Sequence, residues 1–135
     1  MKEKYDEAAQ RHWRDAEWLR GEKRTENADQ LYGLAAECAV KAVLSKLPGC
    51  SSGGELASGY KKHIDELWDR IPLQSVTKLA PTLQLLVQAG NPFQDWRVGQ
   101  RYAGDGCVSC SSVTSHRQAT KRLLGACGLS GSRGT

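Results

Sequence analysis

The chain has 135 residues, 39% of them hydrophobic and 25% charged, with a formal net charge of +4. These proportions are those of one soluble globular domain with a modest core. No apolar run reaches membrane-spanning length and the start, MKEKYDEAAQ, is too charged for a signal peptide, so no membrane association is expected and the cytoplasm is the expected compartment.

The positive excess is C-terminal. Residues 1–30 carry seven Lys/Arg against eight Asp/Glu, and residues 31–96 carry six of each, whereas from Arg97 onward five Arg and one Lys face only Asp105. That asymmetry is compatible with a polyanion at this end, and equally with a solvated basic helix and tail.

In chain order, Lys2 to Gly21 reads as a helix, with Tyr5, Ala9, His12, Ala16 and Leu19 at helical spacing and Gly21 as its stop. His12 then lies on the apolar face, where a satisfied core histidine is the simplest reading. Trp13 and Trp18 fall outside that stripe and imply packing on a second side or an aromatic surface for a partner.

Asn27 to Leu47 gives the longest helix signal. Ala28, Leu31, Ala35, Cys38 and Ala42 recur at spacings of three and four, and Leu34, Ala39, Val43 and Leu47 widen the face until the middle is nearly apolar all round. Such a helix needs neighbours on several sides, which makes it the centre of a bundle. Only Glu37 and Lys41, four apart in the favourable order, interrupt it.

Pro48 and Gly49 end this helix, and a Ser/Gly-rich loop runs from Cys50 to Gly59. A short helix follows over Lys61 to Arg70. Ser75 to Ala89 is a further helical stretch in which Pro81 kinks the chain or opens a restarted helix. Phe93 to Tyr102, FQDWRVGQRY, reads as an ordered loop or short turn laid over the bundle. Val113 to Leu124 resumes helical spacing, and residues 127–135 are an expected frayed tail. The sum is an all-α fold, an antiparallel up-and-down bundle of four main helices plus a short extra helix, in a single domain over residues 1–126.

No phosphate-cradling Gly loop, G-x-S-x-G or H-E-x-x-H is present. Cys107 and Cys110 form a C-x-x-C with His116 and Cys127 downstream, but the second close pair of a structural zinc site is missing, so no metal and no cofactor is expected. The five cysteines read as reduced thiols. What remains is a dispersed polar set: His12 with Asp15, Glu37 with Lys41, His63, Arg97 and Arg101 with Tyr102, and His116 with Arg117. A Glu37 buried in the bundle needs a cation, with Lys41, Arg101 or a protonated His12 as the choices, and a buried ion-pair network that fixes register is the simplest role for these groups.

The run HWRDAEWL followed by NADQLYGLAAECAVKA resembles the two opening helices of HEPN (higher eukaryotes and prokaryotes nucleotide-binding) domains. HIDELW, PFQDWRVGQRY and HRQATKRLL are similar to what small bacterial stand-alone members carry, so the resemblance spans residues 5 to 126. It implies a bundle of four or five helices, a homodimer, and a role in RNA cleavage or in partnering a nucleotidyltransferase-type protein, in a toxin-antitoxin or defence setting. The family's RNase signature, an Arg followed four to six residues later by His, is absent, and adjacent His116 and Arg117 point about 100° apart on a helix.

The expectation is therefore a non-catalytic HEPN-like bundle that binds a protein partner, a nucleotide or RNA through Glu37, Lys41, Arg97, Arg101, Tyr102 and Arg117. A rival expectation is a metal-independent RNase with His12 or His116 transferring protons and Arg101, Arg117 or Lys41 on the phosphate. A third is a homodimerisation module using Trp13 and Trp18.

Overall fold

The computed structural model describes residues 1–129. It is all-α apart from one tiny hairpin. Helices α1 (Tyr5–Gly21) and α2 (Thr25–Leu44) are followed by the hairpin of Ser51–Ser52 with Glu55–Leu56, antiparallel, and by a 3₁₀ turn at Ser58–Tyr60. Then come α3 (Ile64–Leu67) running into a 3₁₀ turn at Trp68–Arg70, α4 (Leu73–Leu79), α5 (Pro81–Gln88), a 3₁₀ segment at Val98–Tyr102, and α6 (Cys110–Ala126). No helix among the described residues is long and apolar enough to cross a membrane.

Helix α2 is the centre, as its composition demands. Ala28, Tyr32, Ala35, Ala36, Ala39 and Val40 are all fully buried, which leaves little of the helix for solvent. One core lies between α1, α2 and α6, around Trp13, Tyr32 and Leu124. The other lies between α2 and the α3–α5 region, around Leu44, Leu67, Leu83, Phe93 and Trp96. Small residues on α2 permit this closeness. A Cβ on Gly33 would sit 2.0 Å from Trp96 Cε2, so the indole occupies the space a side chain there would need.

Several boundaries differ from the sequence reading. The buried stripe of α1 is Ala9, Trp13 and Ala16, so Trp13 is a core residue and not an outer one. His12, one position away and about 100° around the helix, is only half-buried. Trp18 does face out, at 65% exposure. The Lys61–Arg70 helix shrinks to α3 and its 3₁₀ extension, because His63 is extended and the 3₁₀ turn ends at Arg70 before Pro72. Pro81 opens a restarted helix, its missing N–H falling where no intrahelical partner exists.

Helix α6 starts earlier than its apolar spacing suggests, because the Ser109 hydroxyl accepts the Ser112 N–H (3.1 Å) and caps it. After α6 the chain makes a turn in which the Leu129 N–H donates to the Leu124 carbonyl (2.9 Å) across Gly128 at φ 75°. The remainder of the expected frayed tail lies outside the described residues.

Candidate functional site

The FQDWRVGQRY stretch is pinned at its start and displayed at its end. Phe93 and Trp96 are fully buried, the first with its ring stacked on His116 (centroids 5.6 Å apart). The Trp96 indole N–H donates to the Asp29 carbonyl at 3.0 Å. Asn91 fixes the entry, its side chain accepting from the Phe93 N–H and donating to the Asp65 carbonyl. The Gln100 side chain then bridges two places, accepting from the Arg97 N–H (2.8 Å) and donating to Asp29 Oδ2 (3.1 Å).

With those anchors set, the 3₁₀ segment presents Arg101 and Tyr102 to solvent. The Arg101 guanidinium lies 4.9 Å from the Tyr102 ring centroid, and Tyr102 is 80% exposed. Arg97 is partly engaged, donating to the Gln94 and Trp96 carbonyls and lying 3.4 Å from an Asp65 carboxylate oxygen.

Beneath this surface runs an acid–imidazole–acid chain, from buried Asp29 through buried His116 to exposed Asp95. His116, 1% exposed, faces Asp29 Oδ1 through Nδ1 at 2.6 Å and Asp95 Oδ1 through Nε2 at 2.7 Å. A neutral imidazole has one N–H, so donating to both carboxylates requires the imidazolium. Burial works to lower the His116 pKa, but the bonds and charges of Asp29 and Asp95 outweigh it and the net shift is upward. Asp95 is drawn below the usual carboxylate range: burial opposes this, while His116 and the Ser112 hydroxyl (3.1 Å) favour the charged form.

A second cluster surrounds Glu37, which is buried on α2. Lys41 Nζ donates to its Oε2 at 2.8 Å, and His63 Nδ1 lies 3.0 Å from its Oε1. The Tyr5 ring covers Lys41 at 5.9 Å. His12 feels the same carboxylate without a bond to it; burial first and Arg11 second lower its pKa, against the opposing pull of Asp15 and Glu37.

A third cluster joins α1 to α6. Arg117 holds Glu17 with two bonds, Nε to Oε1 at 2.5 Å and Nη2 to Oε2 at 3.2 Å, and the Tyr32 hydroxyl donates to the same Oε1. Burial alone would raise the Glu17 carboxyl, but the Arg117 and Tyr32 bonds outweigh it. Burial, reinforced by the Glu17 hydrogen bond and charge, raises the Tyr32 phenol well above its ordinary value, so it stays a donor.

The sequence-predicted residues thus divide among three places. Glu37 and Lys41 meet, as the requirement for a buried counter-cation anticipates; Arg101 is not the cation. Arg97, Arg101 and Tyr102 share one short segment. His116 and Arg117, adjacent in sequence, serve different networks, and His12 joins neither.

The sequence reading missed Asp29, Asp95 and Glu17, which decide what His116 and Arg117 can do. Asp29 and Glu17 look like ordinary polar positions of amphipathic helices, and nothing local marks their distant partners. Among the described residues no group of His, Cys, Asp and Glu could hold a metal ion. No family model, curated protein or solved structure matches the chain.

Proposed function

We propose that this chain is a HEPN-like helical bundle that acts by binding, taking single-stranded RNA or a nucleotide on the Arg97–Tyr102 segment. The observation that carries this reading is the Arg101–Tyr102 pair, a cation laid against an 80% exposed aromatic ring on a firmly anchored segment. An exposed ring supplies a stacking surface worth about 1–3 kcal/mol per base. An adjacent guanidinium supplies the phosphate contact, and the basic excess beginning at Arg97 adds a favourable field.

The rival nuclease reading loses support at His116 and Arg117. A general base needs a free nitrogen lone pair within reach of the substrate, and both His116 nitrogens are committed to carboxylates. Arg117 is held in a bidentate pair with Glu17 and lies over the Trp13 ring at 5.8 Å. Exposed Trp18 favours a second reading for the opposite role, a homodimer contact or a docking point for a protein partner on α1. Light scattering on the Trp18→Ala protein tests it: an unchanged mass removes Trp18 from any self-association.

The RNA reading is tested by fluorescence anisotropy with a labelled single-stranded oligonucleotide. Tyr102→Ala is expected to weaken binding about 5- to 150-fold, the equivalent of one stacked base. Arg101→Ala is expected to lower the salt dependence by about one phosphate contact. Absence of binding, or binding indifferent to both substitutions, overturns the proposal.

A further inference from the structure

Two thiols stand apart from every network described above. Cys107 and Cys110 are exposed on either side of the Ser109 cap, while Cys38 and Cys50 are buried and Cys127 is half-buried. Burial pushes the Cys38 and Cys127 thiols up to about 12, which keeps them neutral and poorly nucleophilic near neutral pH. The two exposed thiols thus differ in access from the remaining three.

Their spacing also permits a bond between them. Three peptide units separate them, so their Cα atoms lie no more than about 11 Å apart, and the chain bends at Val108 between them. A disulfide needs roughly 4.4–6.8 Å. Cys110 is fixed in the first turn of α6, and any adjustment falls on the exposed residues 103–107, where Gly106 already has a φ of 84°. Cys107 is flanked by two anchors, the Gly106 N–H on Glu26 Oε2 (2.9 Å) and Val108 packed against the α1–α2–α6 core. Both thiols therefore stay near one another and open to solvent.

We propose that Cys107 and Cys110 form a modification site, a dithiol that a peroxide closes into an intramolecular disulfide. One thiolate attacks a peroxide oxygen and the O–O bond breaks. Hydroxide leaves and is protonated to water, and the attacking sulfur becomes a sulfenic acid. The second thiolate attacks that sulfur; the S–S bond forms, the S–O bond breaks, and the departing hydroxide is protonated by solvent to a second water. The dithiol is oxidised by two electrons and the peroxide is reduced to water. A dithiol reductant reverses the reaction by exchange. The bridge closes the four-residue turn that leads into α6.

The test is brief hydrogen peroxide treatment of the folded protein, then alkylation under denaturing conditions, tryptic digestion and mass spectrometry. Both thiols fall in one peptide, Tyr102 to Arg117, and the other three cysteines fall in separate peptides. The expected product is this peptide unalkylated and lighter by two hydrogens, restored by dithiothreitol, with Cys38, Cys50 and Cys127 fully alkylated. The Cys107→Ser protein is expected to lose that product and to over-oxidise at Cys110. Alkylation of both thiols after peroxide, sulfinic acid in place of the bridge in the unmodified chain, or equal oxidation of the buried cysteines overturns the proposal.

Discussion

Removing His116 should be among the most damaging single substitutions in the chain, and the damage should come from one side of the ring only. Asp29 is fully buried, with its Oδ1 2.6 Å from His116 Nδ1, while the Asp95 side chain is 59% exposed. His116→Ala strands a buried carboxylate, which costs about 3–5 kcal/mol, and forfeits the Phe93 stack, worth about 0.5–1.5 kcal/mol. Asp95→Ala removes a partner that water replaces, and should cost about 1 kcal/mol or less.

Urea unfolding with matched slopes reads these values. At roughly 2 kcal/mol per molar urea, His116→Ala should move the midpoint by about 2 M. A double-mutant cycle should give a coupling of about 1–3 kcal/mol for Asp29 with His116 and a smaller one for Asp95 with His116. Equal costs for His116→Ala and Asp95→Ala would refute the reasoning.

The same chain fixes a pH signature. His116 is raised in the folded state, so its contribution is complete below the ordinary histidine value of 6.5 and fades as pH rises through the higher folded value. Asp95 is lowered, so its contribution is present above the ordinary value of 3.8 and fades as pH falls through the folded one. Stability should therefore decline on both flanks, and His116→Ala should flatten the alkaline one.

Other substitutions separate the remaining clusters. Gly33→Ala sets a methyl group against the buried Trp96 indole and should cost at or above the upper end of about 1–3 kcal/mol, read by tryptophan fluorescence during urea unfolding. Lys41→Met strands buried Glu37 and should cost about 3 kcal/mol, with Glu37→Gln in the same chain recovering most of it. His63→Ala, at a half-exposed ring, should cost about 1 kcal/mol or less in the same assay. Arg117→Ala should lower stability by about 1–3 kcal/mol without abolishing RNA binding, since its guanidinium is spent on Glu17.

The fold was legible wherever the pattern was local. The apolar circumference of α2 announced a central helix, and Pro81 announced a restart, because both signals lie within a few residues of their consequence. The phase of α1 was not legible. Ala9 and Ala16 belong to the stripe in either register, and choosing His12 or Trp13 between them depends on what α2 and α6 offer.

The candidate site was legible in its parts and not in its assembly. Glu37 and Lys41 could be paired from spacing on one helix. Asp29, Asp95 and His116 come from three elements, and Arg117 meets a carboxylate contributed by α1. The C-terminal basic excess was real as a count but overstated as a surface, because part of it is neutralised by acids from earlier in the chain. Arg101 and Tyr102 escape that cancellation, since no carboxylate bond holds either among the described contacts.

The most direct test of the binding account is ultraviolet cross-linking of a bound single-stranded RNA, followed by nuclease and tryptic digestion and mapping of the nucleotide adduct. The account requires the adduct on Tyr102, within the peptide ending at Arg117, and its loss in Tyr102→Ala. An adduct confined to α1, or no adduct at RNA concentrations that saturate the protein, would contradict it.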